Sequence, residues 1–272
     1  MHRIKILFIQ LSLLILLIFI WEHFSKTNII NSFIFSSPSK VLNCIINLYK
    51  NNNLLHHIIV TLNETIISFS LSIFIGLFIA VLLYEFNIVF KILEPFFTIL
   101  NSMPKIALGP LFIIIFGAGN KSIIIMSLSI TVIINILTIY NSFTQTDKYL
   151  IKLLDSLKAS RYNKIKYLII PSAQQTIIHS LKLNISMTLI GVIMGEFLVS
   201  KAGIGYLIIY GTQVFNLTLV ISGIVILMVI SYLLYILINI IQKYLNKKIS
   251  NWCWIFFILD ILIYSYMYNM MF

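Results

Sequence analysis

The sequence predicts an all-α, polytopic membrane protein, a transmembrane helical bundle with six core spans. Of its 272 residues, 60% are apolar and only 10% are charged, whereas soluble domains carry roughly 25% charged residues. A bilayer core about 30 Å thick requires roughly 20 apolar residues per spanning helix, and the chain repeatedly supplies such stretches. Because these stretches take up most of the chain, we expect no second soluble domain.

The apolar stretches define the predicted spans, which lie at about 4–21, 62–84, 93–117, 122–142, 176–198 and 218–241. The first stretch follows His2, Arg3 and Lys5 and so begins like a secretory signal peptide. Trp21-Glu22-His23 stands where such a peptide has a small-residue cleavage site. We therefore predict a retained first helix with an interfacial tryptophan.

The third span is predicted to be broken or kinked. Pro95, Pro104 and Pro110 interrupt it, and Lys105 lies within it. Irregular backbone and charge at membrane depth are tolerated where they face protein or water.

The basic residues predict the orientation of the chain in the membrane. Despite a net charge of +11, they lie between the spans and form no single basic face, which argues against nucleic acid as a partner. With the N-terminus cytoplasmic, most of them fall inside, as the positive-inside rule requires. Those inside are Arg3, Lys5, Lys91, Lys148, Lys152, Lys158, Arg161, Lys164, Lys166, Lys243, Lys247 and Lys248; those outside are Lys26, Lys40, Lys50, Lys121 and Lys201.

The C-terminal tail, residues 246–272, allows two placements. Residues 252–272 are aromatic and apolar, and Asp260 interrupts them. The tail either lies along the membrane interface or forms an additional apolar helix that crosses it. If it does not cross, both termini lie inside.

The longest inside loop, about 145–175, is predicted to contain two short helices. In the first, Tyr149, Leu150, Leu153, Leu154 and Leu157 recur on one face and Lys148, Lys152, Asp155 and Lys158 occupy the other. Ser160 is predicted to cap the second helix and Pro171 to end it. The apolar face either binds a partner or lies on membrane lipid.

Residues in and beyond this loop resemble those of the binding-protein-dependent ABC importer permeases, in the nitrate, sulfonate and taurine branch. In the loop, Leu157 to Arg161 and Ile170-Pro171-Ser172-Ala173 are similar to the loop motif of that family. Further ordered matches are Trp21-Glu22, Ser36-Ser37-Pro38-Ser39, Leu93-Glu94-Pro95, Met103 to Pro110, Phe116 to Gly119, Gly195-Glu196-Phe197 and Ala202 to Tyr206. The resemblance implies a type I ABC importer permease fold, with a membrane domain at 61–245 that follows a first helix and external segment at 1–60.

The resemblance also implies a function and partners. The loop would be the coupling helix that fits a cleft in separate ABC ATPase subunits, so ATP hydrolysis would not belong to this chain, and no cofactor or metal is expected. The residues that would contact the ATPase are Leu153, Leu154, Leu157, Lys158, Ala159, Ser160, Arg161 and Pro171. An extracytoplasmic binding protein would deliver a small anionic or vitamin-precursor-like solute to a permease homodimer in the bacterial inner membrane.

Two departures from the family motif concern the coupling loop. Lys152, Leu153 and Leu154 stand at the positions of an acidic and two small residues, and Lys158 stands at the position of a glycine. A non-glycine residue in a left-handed turn costs about 1–2 kcal/mol. We therefore expect the turn at Lys158 to be altered.

Acidic residues and glycines in the spans give the other candidate sites. Glu196 lies near the outer end of span five, where a carboxylate must face water, a cation or a donor. Glu196 either reaches the lipid headgroups as an interfacial residue, or borders the translocation path or pairs across the dimer. The resemblance at Gly195-Glu196-Phe197 favours the latter, and Pro104, Gly203 and Gly205 are predicted to border the path with it. Glu64 is interpreted as capping the start of span two, and His57 as lying on the outside surface.

The remaining motifs argue against an enzyme. Gly117 to Ser122 lacks the glycine before lysine that a phosphate-binding loop needs, and is predicted to be a turn. No paired nucleophile and base occurs at membrane depth, and Cys44 and Cys253 lack metal-ligand spacing. A passive channel or scaffold without ATPase coupling remains the alternative.

Overall fold

The computed structural model describes a helical chain. It describes the backbone of residues 2–27, 29, 31–51 and 53–270 and the side chains of residues 6, 8–10, 12–13, 15–27, 29, 31, 33–51 and 54–245. Throughout this part every regular element is helical. The elements are α1 (His2–Lys26), α2 (Ser32–Phe35), α3 (Pro38–Lys50), α4 (Asn53–Glu85), α5 (Asn87–Ser102), a 3₁₀ turn (Lys105–Leu108), α6 (Gly109–Phe116), α7 (Asn120–Thr144), α8 (Lys148–Ser156), α9 (Arg161–Lys164), a π turn (Ile165–Ile169), α10 (Ile170–Val199), α11 (Ile204–Gln213) and α12 (Leu217–Met270).

Six candidate spans emerge from the described residues when the broken third span is included. Five stretches are long and apolar enough to cross a membrane: Phe8–Lys26, Leu54–Glu85, Asn120–Thr144, Arg161–Val199 and Leu217–Leu245. The sixth is the pair Asn87–Ser102 and Lys105–Phe116. The all-α fold with six spans is therefore confirmed.

The break in the third span falls at Met103 and Pro104, as predicted. Met103 has φ −68° and ψ 138°, because the ring of a following proline pushes a residue out of the helical region. Pro95, in contrast, lies inside α5 without ending it. Pro110 lies in the first turn of α6, where its missing N–H needs no helical partner.

By its internal contacts the chain divides into two compact units. Unit 1 comprises Met1–Ser68, Pro104–Ser129 and Thr188–Ser231. In this unit α7 and α10 approach closely, because Gly191 and Gly195 have no side chain between them and the neighbouring helix. A Cβ on Gly191 would lie 2.7 Å from Ser127 Cα, and one on Gly195 would lie 3.0 Å from Ile123 Cα. Small residues allow such close packing of membrane helices.

Unit 2 comprises Phe69–Met103, Ile130–Met187 and Tyr232–Phe272. Its interior is an apolar cluster contributed by α4, α5, α7, the π turn and α10. The buried members are Ala80, Leu83, Phe90, Ile136, Ile139, Tyr140, Phe143, Ile169 and Ala173. Within the cluster the rings of Phe90 and Tyr140 are stacked.

The prediction that Pro171 ends a separate loop helix is wrong. α9 continues through the π turn into α10, so residues 161–199 form one helical stretch. Pro171 lies in the first turn of α10, directly after the π turn. The wider hydrogen-bonding pattern of a π turn interrupts the regular helix just where proline cannot donate an N–H.

The helix α12 carries the chain from Leu217 to Met270. The side chains described in it end at Leu245. The apolar span found in α12 also ends at Leu245, so both membrane placements of residues 252–272 stay predictions.

Candidate functional site

The loop helix α8 presents an apolar face that its own chain leaves uncovered. Asp147 caps the helix by accepting a hydrogen bond from the Tyr149 N–H at 2.8 Å. Tyr149 is 81% exposed and Leu157 is 69% exposed, and Leu150 and Leu153 are exposed as well. The predicted amphipathic helix is confirmed, and its apolar side is available to a partner or to lipid.

The turn after α8 keeps a left-handed residue although that residue is a lysine. Lys158 has φ 54°. Its N–H donates to the Asp155 carbonyl at 3.0 Å, and the Ala159 N–H donates to the Leu154 carbonyl at 2.9 Å. These two bonds form a Schellman motif, which satisfies the last carbonyls of the helix. The expected alteration of the turn is therefore wrong, because the hydrogen bonds offset the strain at Lys158.

The start of α9 confirms the predicted cap. The Ser160 hydroxyl accepts a hydrogen bond from the Asn163 N–H at 3.3 Å. Two ion pairs hold α9 to its surroundings, Lys164 with Asp155 at 2.5 Å and Arg161 with Glu85 at 3.9 Å. We call residues 147–164 the coupling segment.

A second candidate site lies in unit 1, where α4 and α10 meet the start of α11. Glu196 is 0% exposed. Its Oε1 accepts a hydrogen bond from the Thr61 hydroxyl at 2.6 Å, and its Oε2 accepts one from the Gly205 N–H at 2.5 Å. Thr61 in turn accepts a hydrogen bond from the Ile204 N–H at 2.8 Å. Together these groups satisfy the first backbone donors of α11, which has no side-chain cap of its own.

Two of the predicted path residues, Gly203 and Gly205, are close to Glu196. A Cβ on Gly205 would lie 2.7 Å from Glu196 Cβ, and a Cβ on Gly203 would overlap the Glu196 carboxylate. Gly203 also has φ +116°, a conformation that disfavours side chains. The fourth predicted residue, Pro104, is exposed at the start of the 3₁₀ turn.

The sequence interpretation of Glu64 is wrong. The helix α4 begins at Asn53, so Glu64 lies three turns inside it and cannot cap its start. The side chain is 2% exposed and follows Thr61, which donates to Glu196, by one turn of the same helix. Glu64 therefore belongs to the buried site.

His57 is also part of this site, and its predicted surface position is only half correct. The ring is half-buried, its Nδ1 accepts a hydrogen bond from the Gly203 N–H at 3.0 Å, and it stacks on Tyr206. The sequence did carry a signal for this arrangement. Polar residues recur along one side of the apolar helix α4, three or four positions apart except for the adjacent pair Glu64 and Thr65: His57, Thr61, Glu64, Thr65, Ser68 and Ser72.

Comparison with known proteins agrees with this architecture. A model of the family described as binding-protein-dependent transport system inner membrane component matches residues 72–251. A chain of Haemophilus influenzae named "Probable ABC transporter permease protein" is 28% identical over 220 residues, which cover 80% of this chain and 89% of that one. An aliphatic sulfonates transport permease protein of Bacillus subtilis is 24% identical over 232 residues, 85% of this chain and 84% of that one.

A solved structure shows the same fold. A chain of the MetNI methionine ABC transporter, in inward-facing conformations, aligns with a TM-score of 0.61 and 19% identity. The alignment covers 72% of this chain and 96% of that chain. With the family match over residues 72–251 and the six apolar spans, these likenesses show that the chain belongs to the binding-protein-dependent transport system inner membrane components, the multi-pass permease subunits of ABC importers.

Proposed function

We propose that this permease forms the translocation path for a small solute, anionic or vitamin-precursor-like, that an extracytoplasmic binding protein delivers. Two copies of the chain form a homodimer, and separate ABC ATPase subunits hydrolyse ATP. The sulfonate permease among the relatives supports a small anionic solute. The N-terminus and the coupling segment face the cytoplasm, in accord with the distribution of lysine and arginine.

The observation that carries the ATPase assignment is the exposed apolar face of the coupling segment. A face formed by Tyr149, Leu150, Leu153 and Leu157 is costly to leave in water. The rigid Schellman turn at Lys158 and the cap at Ser160 fix the direction in which this face points. A preformed surface binds a partner with less loss of conformational entropy than a mobile loop.

Coupling follows because the ATPase subunits bind the two states of the permease with different affinities. ATP binding draws two ATPase subunits together, and each carries a coupling segment with it. This favours the outward-open state, into which the binding protein releases its solute, and hydrolysis restores the inward-open state. Glu196, Gly203 and Gly205 fix the start of α11, and this corner borders the path. Pro104 borders the path at the broken third span.

The first experiment tests ATPase coupling. The permease is coexpressed with its ATPase and purified as a complex, with Leu153→Glu and Leu157→Glu as variants. Each variant places a carboxylate on the apolar face and is expected to lower ATPase recovery at least tenfold. Lys152→Glu is the matched control, since it adds the same group to the polar face of the same helix. Full recovery of the ATPase with Leu157→Glu would instead favour the alternative of a channel or scaffold without coupling.

Orientation and solute have separate tests. A cysteine placed at Ser156, in a chain lacking Cys44 and Cys253, should react with a membrane-impermeant reagent only after the cells are opened. A cysteine at Lys50 should react from outside. Titration of the binding protein with sulfonates and with heterocyclic vitamin precursors identifies the solute, and binding of neither class contradicts the proposed substrate range.

A further inference from the structure

Two buried carboxyl groups meet in unit 1, Glu64 from α4 and Glu196 from α10. Each side chain is at most 2% exposed. Glu64 follows Thr61 by one helical turn of α4, and the Thr61 hydroxyl donates to Glu196 at 2.6 Å, so both carboxyl groups lie at the same helix contact. Two carboxylates buried together need a counter-charge, or a proton on one of them.

The surrounding donors indicate which group carries the proton. Glu196 accepts from the Thr61 hydroxyl and from the Gly205 N–H, so its negative charge is stabilised by two donors. Among the described residues, neither oxygen of Glu64 has a hydrogen-bond partner. Ser68, one turn further along α4, is also buried without a partner there. Glu64 is consequently the poorly solvated member of the pair.

No positive charge in the described part of the chain forms an ion pair with either carboxylate. The ion pairs found there involve Glu22, Glu85 and Asp155 instead. His57 meets the same corner of the unit. Its Nδ1 accepts the Gly203 N–H and therefore carries no proton, so the ring is neutral and offers no positive charge to the carboxyl pair. Two ionised carboxylates in this position would repel each other in a medium of low dielectric constant, at a cost of several kcal/mol.

A metal ion is a poorer counter-charge than a proton in this place. Small cations require several oxygen ligands, and the described residues hold no group of three or more His, Cys, Asp or Glu side chains that could bind a metal.

We propose that Glu64 and Glu196 form a proton-binding site in which Glu64 holds one proton beside the Glu196 carboxylate. Because Glu64 is then neutral, Glu196 keeps its negative charge for the Thr61 hydroxyl and the Gly205 amide, which fix the start of α11. Loss of the proton places two negative charges against each other and weakens the corner where α10 leads into α11. The proposal concerns the isolated permease and does not depend on solute or ATPase coupling.

Infrared spectroscopy of the purified full-length chain in detergent tests the site directly. At neutral pH the wild type is expected to show a protonated-carboxyl band that shifts in D₂O. Glu64→Gln should abolish the band, since the amide replaces the carboxyl group that holds the proton. Glu196→Gln should keep the band and shift it, since the Glu64 carboxyl then lies beside an amide. Glu94→Gln, at an exposed carboxylate of α5, is the matched control and should leave the band unchanged.

Thermal unfolding at several pH values gives an independent measurement. The folded state holds a proton that the unfolded carboxylates release to water near neutral pH, so stability must fall as the pH rises. The wild-type midpoint should fall by several degrees between neutral and alkaline pH, and Glu64→Gln should lose this dependence because its amide is neutral at every pH.

The proposal is overturned if the wild type shows no protonated-carboxyl band at neutral pH, or if the band survives in Glu64→Gln. Displacement of the band by added sodium or potassium would assign the site to a metal ion instead. If Glu64→Gln does not fold, the wild type and Glu94→Gln decide the question. In both, the protonated-carboxyl band must disappear on alkaline titration over the same pH range in which stability falls.

Discussion

Unit 1 and unit 2 bury different kinds of side chain. The interior of unit 2 is a cluster of aliphatic and aromatic groups, accompanied by a neutral polar trio, Ser72, Asn135 and Asn184. The interior of unit 1 includes two carboxyl groups and the backbone amides of α11. Both units consist of apolar helices, so the difference lies in a few polar positions.

This difference has a physical consequence in a membrane. Lipid tails are as apolar as leucine, so apolar contacts between helices are favoured only by better packing. A buried carboxylate, in contrast, is stable only where specific donors surround it. The stability of unit 2 should therefore depend on side-chain volume. The stability of unit 1 should depend on single polar atoms and on the addition of a Cβ.

The largest effect is expected from Phe143→Ala in unit 2. Phe143 is 1% exposed, and its ring lies edge-on to that of Tyr84. Loss of the ring leaves a cavity, which costs about 3–5 kcal/mol. Phe143→Leu should cost less, about 1.5 kcal/mol, because most of the volume is retained. Denaturant titration in detergent measures both.

Phe74→Ala is the matched control for this comparison. Phe74 lies on α4 and is 78% exposed, so removal of its ring creates no cavity in the unit. An equal loss of stability in the two alanine variants would show that packing in the apolar cluster is not what stabilises unit 2.

The next largest effect, about 2–4 kcal/mol, is expected from Gly203→Ala in unit 1. The new methyl group would overlap the Glu196 carboxylate, and the backbone at φ +116° is itself strained for alanine. Gly117→Ala separates the two causes. Gly117 has φ +81° but open space around a Cβ, so only the strain of about 1–2 kcal/mol should appear. Equal costs at the two glycines would argue against a rigid polar site.

The smallest effect is a gain of stability in the coupling segment. Lys158→Gly relieves a left-handed non-glycine residue while it keeps both hydrogen bonds of the Schellman motif. Stability should rise by about 0.5–1 kcal/mol. Lys152→Gly is the control, since it places glycine inside α8 and should cost about 1 kcal/mol. A loss of stability with Lys158→Gly would mean that the lysine side chain, rather than its backbone, secures the turn.

The sequence predicted the helices better than it predicted the polar contacts between them. Length and hydropathy are local properties, so six spans could be deduced from them. The three prolines of the third span indicated a break, which the structure places at Met103 and Pro104. Ser160 was predicted as a cap because a cap involves residues three positions apart. Pro171 was assigned to a helix end because proline usually ends one, and a π turn that accommodates it leaves no mark in residue composition.

The error at Glu64 has a similar origin. The sequence predicts that span two begins at about residue 62, which would make Glu64 a residue of its first turn. In the structure α4 begins at Asn53, which places Glu64 inside the unit. The polar stripe on α4 indicated a buried polar face, but it did not reveal which groups on other helices it meets.

The sequence alone determined that the chain is a multi-pass helical membrane protein with an amphipathic segment between two of its spans. These properties follow from runs of neighbouring residues. Whether such a run enters lipid or forms an amphipathic helix depends on its local composition. Only the tertiary structure decided that Glu64, Glu196, Thr61, His57 and the start of α11 form one site. They lie up to 148 positions apart, and a hydrogen bond between them depends on helix packing geometry that no local pattern specifies.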